Sequence, residues 1–333
     1  MAAEFAAAGV TPGQPFPGNV IPDALIDPNA TAFLGTGAIP LPNFGNQFTG
    51  SRSVPIDVRE EIIRVDHNFN DRVSLMAHFI NDAIIQETDT TLWGGMSYPT
   101  LGTIFRNPAK SAVLRLTWTI SPSLLNEVAY NYNGNRIDFT GAFNAYELGY
   151  DRSSSDLDRR HVLTMNYIYE LPFFKSHSSP FVRQAVGGWQ LSGITNFQTG
   201  LPNTPSYPGD IAGVGFGNVR PNVVSDPNSG PKTLDEWFNT DAFAPPDELT
   251  FGNAGRNVIR RPGRDNWNIS VFKVFSFSSL REGAQLQFRL EMFNTFNHTQ
   301  FSDYDSNVLS GNYGKITSTY DARRIQFGLK FAF

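Results

Sequence analysis

Cysteine is absent from all 333 residues, which removes disulfide frameworks and thiolate metal sites without choosing a compartment. No stretch approaches the roughly 18 consecutive apolar residues of a membrane-spanning helix, so a membrane role requires a barrel of strands. There is no run of Lys and Arg: 26 basic residues stand against 31 acidic ones, leaving a net charge of -5. Without a phosphate-tracking stripe, nucleic acid is not an expected partner. The opening stretch MAAEFAAAGVTPGQPFPG carries Glu4, no basic region, and an apolar run broken by Gly and Pro. It does not read as a secretory signal, leaving either a cytosolic protein or a chain that is part of a longer one. Catalytic motifs are missing too. His67, His78, His161, His177 and His298 are scattered without H-E-x-x-H spacing, and there is no G-x-S-x-G or P-loop. The stretch GVGFGN near Gly213 lacks the strand-to-helix setting of a dinucleotide site. No enzyme and no cofactor are expected.

What is present in quantity is aromatic and turn-forming: 28 Phe, 11 Tyr, 29 Gly and 22 Pro. That mixture, without a collagen-like or low-complexity period, favours an all-β chain with long loops. The last residues, RRIQFGLKFAF, place Ile325, Phe327, Leu329, Phe331 and Phe333 on one face of a strand. Gln326, Gly328, Lys330 and Ala332 fall on the other, because side chains on a strand alternate with period two. One face suits oil and the other water.

The same alternation recurs in IIRVDHNF and VSLMAHF around the turn NDR, and in SAVLRLTWTI and LLNEVAYNYN around SPS. It continues in RRHVLTMNYIYE, WQLSGITNFQ, NWNISVFKVF and AQLQFRLEMF. Each run spans about 8 to 11 residues, close to the roughly 9 to 11 of a tilted membrane strand. Connections between them alternate short and long along the chain, the longest running from Thr199 to Asp265. Loops sorted by parity in this way suit an outer-membrane barrel, with short periplasmic turns at one rim and long extracellular loops at the other. On this reading the odd positions of the last strand face lipid and the even positions face the lumen. Trp118, Tyr130, Tyr132, Tyr167, Tyr169 and Trp189 are expected in the interfacial girdles. A soluble β-sandwich lectin with the aromatics in its core is the competing fold.

The segments NVIPDALIDPNA, LDRRHVLTMNYIYELPF, GGWQLSGITNFQTGLP, TFGNAGRNVIRRPGRDNWNISVFKVF, LQFRLEMFNTFNHTQF and IQFGLKFAF together resemble the C-terminal part of Oar-like TonB-dependent outer-membrane receptors. The resemblance covers most of the chain, and TFGNAGRN followed by FNTFNH before a terminal Phe is its most specific part. It implies an antiparallel transmembrane β-barrel of about 22 strands filled by a plug. Here it implies a partial barrel, a curved sheet of about nine strands with long extracellular loops. Residues 1–58 read as a loop-rich N-terminal segment, an extracellular loop of the parent barrel, and 59–333 as the C-terminal part of the barrel. The implied role is import of a bulky solute such as an oligosaccharide or peptide across the bacterial outer membrane. The fragment itself lacks the plug and TonB box, so no transport by it alone is expected. Its implied partners are outer-membrane lipid, the barrel assembly machinery, an unknown extracellular solute and, in the intact parent, the plug domain and the TonB complex. The alternative is an outer-membrane adhesion or structural surface protein that binds partners through its long loops.

Candidate residues follow from the faces. Gln287, Arg289, Glu291, Gln326 and Lys330 are expected to face the lumen, because a lipid-facing Arg or Lys at mid-bilayer costs about 2 to 4 kcal/mol. There they serve either as an ion-paired wall or as plug and solute contacts. Phe327, Leu329, Phe331 and Phe333 resemble the recognition signal read by the barrel assembly machinery, with edge pairing as its physical basis. The stretch SDYDSN puts Asp303 and Asp305 two residues apart, either as a calcium site or as a solvated loop. Val308 and Gly314 stand where an EF-hand needs Gly and Glu.

Overall fold

Nine long strands join into one sheet in chain order: β1 (Ile56–Asn70), β2 (Val73–Thr88), β3 (Thr103–Ser121), β4 (Leu124–Gly141), β5 (His161–Glu170), β6 (Trp189–Gln198), β7 (Arg264–Ser276), β8 (Gln285–Phe293) and β9 (Arg324–Ala332). The short pair Ser153–Ser154 adds to β4. This computed structural model describes residues 5, 8–11, 13–37, 39–50, 53–88, 102–141, 152–213, 218–277 and 281–333. Most of GVGFGN lies outside the described residues. The sheet is open, with β1 at one edge and β9 at the other. A second sheet packed face to face with it, which a sandwich requires, is not found among the described residues.

Local chemistry sets the tight ends. The β1–β2 turn is closed by Asn70, whose Oδ1 accepts from the Arg72 amide at 2.8 Å. The β3–β4 turn is two residues long, with Ser121 and Ser123 hydroxyls 3.2 Å apart. The first four strands run 15, 16, 19 and 18 residues, well beyond the expected 8 to 11. The alternation that marks a strand in sequence stops where the apolar band stops, whereas ladder hydrogen bonding continues into polar stretches such as Ile56–Glu61, where Arg59 and Glu61 pair.

Register decides the faces. Met292, Leu290, Phe288 and Leu286 pair with Ile325, Phe327, Leu329 and Phe331, so these eight side chains share one face. Across β7 and β6 the same face carries Ile269, Val271, Phe275, Leu191 and Trp189. Phe327 and Leu329 are each 70% exposed, and no element among the described residues covers them. A contiguous exposed apolar surface of this extent belongs against lipid. Closing the backbone polar groups into ladders is what permits strands there.

Two aromatic levels bound that face. Trp189 meets Phe275 and Phe288 edge-on at 6.4 and 5.8 Å, and Phe197 meets Trp267 at 5.9 Å. Trp189 and Phe197 are eight residues apart on β6, about 26 Å along the strand, or about 20 Å of height at a tilt of about 40°, which puts both rings near the borders of an apolar band about 25 Å tall. Tyr167 departs from the girdle expectation. It lies inside β5, paired with Gly193, and a Cβ at Gly193 would sit 2.4 Å from its hydroxyl. Its ring covers the glycine and fills the gap a side chain would occupy.

The chain forms two compact units. The first comprises Met1–Asp57, Ile85–Phe105 and Phe139–Ala145. Within it Asp27 caps α1 (Pro28–Gly35) through the Asn29 amide at 2.7 Å, and Phe105 and Phe139 stack 5.4 Å apart. In the second unit, the connections after β6 and after β8 read from the sequence as long extracellular loops. Instead they build a cap with its own core of Phe238, Ala242, Phe243, Ala254, Ile259 and Tyr304, which Val308 and Tyr313 pack against. A short ladder of Phe301–Tyr304 with Ile316–Thr319 stiffens it.

The cap tolerates no side chain where backbones cross. A Cβ on Gly200 would lie 1.7 Å from the Arg261 carbonyl oxygen. Gly200→Ala is therefore expected to displace the chain at this crossing and expose the cap to protease, and an unchanged cleavage pattern would contradict the close packing.

Candidate functional site

The FNTFNH stretch after β8 is structural. Asn294 and Asn297 take left-handed backbone angles, φ 51° and 52°, which Asn tolerates better than most residues. Asn294 Oδ1 accepts from the His298 amide at 3.2 Å, while its Nδ2 donates to the His298 carbonyl at 3.0 Å. His298 Nδ1 sits 3.1 Å from Asp265 Oδ1, tying this turn to the start of β7.

At the base of the cap the β4–β5 connection meets the β6–β7 connection through arginines. The Asp158 side chain is 0% exposed. Its Oδ2 accepts from Arg160 Nη2 at 2.6 Å and Arg260 Nη2 at 2.9 Å. Arg260 Nη1 also donates to the carbonyls of Asp158 at 3.0 Å and Gly200 at 3.1 Å. Burial opposes ionisation of Asp158, but the hydrogen bonds and charge of the two guanidinium groups outweigh it and hold the carboxyl below its ordinary pKa. The neighbouring Asp156 accepts from Asn257 Nδ2 at 2.6 Å and Arg256 Nη2 at 2.8 Å, and its pKa also falls against the opposing effect of burial.

Beside this network opens a cavity of about 990 Å³. Its wall includes Asn203, Thr204, Arg220, Arg256, Asn257 and Arg261, with Pro202, Pro205 and Val219 as apolar surface. Arg220 Nη1 donates to the Ala254 carbonyl at 3.1 Å, and Thr204 Oγ1 donates to Asn257 Oδ1 at 3.1 Å. Arg261 Nε is 3.2 Å from Asp303 Oδ1, within ion-pair distance but not aligned as a hydrogen bond. Asp305 Oδ1 instead accepts from the Asn307 amide at 2.9 Å, so Asp303 and Asp305 serve different partners. Among the described residues no group of three or more His, Asp or Glu is arranged to hold a metal.

Gln287, Arg289, Glu291, Gln326 and Lys330 all lie on the polar face, where Gln287 pairs with Lys330 and Glu291 with Gln326. Their ion pair runs along β8 rather than across strands: Arg289 Nη1 is 3.6 Å from Glu291 Oε1. The guanidinium also stacks over Phe272 at 5.7 Å. Alternation did not foresee that this face also carries Leu125, Ile168, Ile194 and Phe293, each 41–48% exposed, around a concavity of about 540 Å³. Glu127, Asn166, Asn268 and Glu291 complete its wall. Phe327, Leu329, Phe331 and Phe333 stand exposed on the apolar face of β9 and just beyond it, with the Phe331 and Phe333 rings 5.7 Å apart.

A family model described as outer membrane beta barrel domain matches the chain in two overlapping stretches, residues 2–144 and 137–326. No curated protein and no solved structure matches it.

Proposed function

The chain belongs to the outer membrane beta-barrel domain family, and from that premise we propose that it forms the C-terminal wall of an Oar-like TonB-dependent receptor importing a bulky solute. The observation that carries this reading is the apolar concavity on the polar face. A water-filled lumen has no use for Leu125, Ile168, Ile194 and Phe293 half exposed among Glu127, Asn166 and Glu291. A protein plug seated against that face would bury them, at about 25 cal/mol for each Å² of apolar surface removed from water. The open edges at β1 and β9 support the same reading, since each presents a row of ladder groups that further strands of a larger barrel would satisfy. Residues 1–55, ahead of β1, then belong to an extracellular connection of that barrel, and Phe327, Leu329, Phe331 and Phe333 to its assembly signal.

The test has two parts in cells producing the protein from its native locus. A photo-crosslinking residue at position 194 is expected to give one discrete adduct with a folded domain. Uptake of fluorescent oligosaccharides or oligopeptides too large for diffusive pores is expected to stop on adding a protonophore. No adduct at position 194, with uptake indifferent to the protonophore and cell attachment lost on deleting 201–265, would replace this reading with an adhesin.

A further inference from the structure

The cavity at the base of the cap carries a sign opposite to that of the whole chain. Arg256 and Arg261 stand in its wall beside one acid, Asp156, while the chain as a whole has net charge -5. Behind the wall, Arg160 and Arg260 share the single carboxylate of Asp158. Arg159 donates to the Thr199 carbonyl at 3.4 Å, which adds a further cation. Arg220 apart, five arginines thus face three aspartates, Asp156, Asp158 and Asp303, so the ion pairs among them leave an excess of positive charge. We propose that this cavity binds the carboxylate or phosphate of an anionic solute taken up from outside the cell.

Several features fit that ligand class. Arg256 and Arg261 are each about one-third exposed, at 33% and 35%, so their guanidinium groups reach the cavity while their stems are held. Their present partners are weak competitors. Asp156 is 60% exposed, and Asp303 meets Arg261 without forming a hydrogen bond. A guanidinium fork matches a carboxylate or phosphate with two parallel hydrogen bonds, and an incoming anion gains that geometry where Asp303 does not. Asn203, Thr204 and Asn257 add amides and a hydroxyl for the neutral polar parts of the ligand. Among the described residues the wall holds no aromatic platform, so the recognition read here rests on charge and hydrogen bonds. At about 990 Å³ the space is at the upper end of ligand sites, which admits a solute of several residues or rings. Asn257 Nδ2 is fixed by the Ser154 carbonyl at 2.7 Å, and the buried Asp158 network holds the loop next to it, so the cations are positioned before the ligand arrives.

The proposal concerns the solute of the importer described above, but binding and uptake are separable. Outer-membrane vesicles from cells producing the protein would be titrated with trigalacturonate, its carboxyl-reduced neutral counterpart, and a monophosphorylated trisaccharide. Saturable binding of one or both anions, absent for the neutral sugar and weakening with added salt, is expected; which anion binds tells carboxylate from phosphate. Arg256→Gln and Arg261→Gln are each expected to weaken it at least tenfold, whereas Arg281→Gln, on the β7–β8 connection, leaves it unchanged. Equal binding of the neutral sugar, binding of neither anion, or unchanged affinity in both cavity variants with a protease-resistant cap would overturn the proposal. If a Gln variant loses its cap, Arg256→Lys and Arg261→Lys decide. Each keeps the charge and loses the fork, so a cap that stays intact with affinity equal to wild type refutes bidentate recognition, and weaker affinity supports it. Anion binding without protonophore-sensitive uptake would keep this site and remove the importer.

Discussion

Replacing Asp158 with alanine is expected to release the base of the cap and make the connection between β6 and β7 sensitive to protease in intact membranes. Removing the carboxylate leaves Arg160 and Arg260 facing each other without a counter-charge in a site where Asp158 is 0% exposed. Breaking one partner out of a fully buried ion pair costs about 3 to 5 kcal/mol, and the loss here falls below that because Arg160 and Arg260 are 34% and 35% exposed. The loss falls on the cap, because the sheet keeps its own ladders. Asp158→Asn retains the shape and one acceptor, so a smaller loss is expected. Hydrogen exchange of the 199–263 amides would show the effect directly; protection equal to that of the native chain would mean that the arginines find other partners. The pH dependence has a definite sign. Burial taken alone would raise the Asp158 pKa, but the two guanidinium groups lower it below its ordinary value. Its contribution is therefore complete above the ordinary carboxylate pKa of about 3.9 and disappears as pH falls through the depressed value. A cap that loosens between neutral pH and pH 5 would point to another group.

Leu290→Arg is expected to block assembly of the sheet in the membrane far more than Gln287→Arg. Leu290 pairs with Phe327 and with Val271, which lies four residues from each of Phe275 and Trp267, the aromatics that bound the apolar face on β7. An arginine facing lipid at mid-bilayer costs about 2 to 4 kcal/mol, and the cost fades toward the interfaces. Gln287 points to the polar face, where it pairs with Lys330, so a new cation there keeps its hydration and costs only the repulsion of a like-charged cross-strand pair, about 0.2 to 1 kcal/mol. Depth matters as well as face. Phe288 pairs with Lys273, a cation on the apolar face that is only 2% exposed. Lys273 survives there because its ammonium lies 5.4 Å from the Trp189 ring centroid and reaches the Gly187 carbonyl at the rim. Phe288→Arg should therefore be milder than Leu290→Arg. The shift from unfolded to folded mobility on a cold gel reads the fraction assembled, and equal fractions for Leu290→Arg and Gln287→Arg would contradict the assignment of faces.

The sequence by itself determined the two faces of the strands and the side on which the long connections gather. Both follow from local rules. Alternation is a property of extended backbone, so Ile325 to Phe333 could be sorted without knowing any neighbour, and loop lengths could be counted along the chain. The FNTFNH stretch was legible as a motif but not as a turn, since its work is done by two asparagines in left-handed conformations. The tertiary structure alone decided the rest. Lys273 breaks the apolar pattern of β7, and only its approach to Gly187, 86 residues away in sequence, explains why it is tolerated. The cap core joins Phe238 and Ile259 to Tyr304, from two connections that carry no periodicity. Arg260 finds Asp158 across 102 residues. Contacts closed over such distances leave no trace in a local window, because they depend on where the strands between them deliver the chain, and that is settled by register and loop closure rather than by any single stretch of residues.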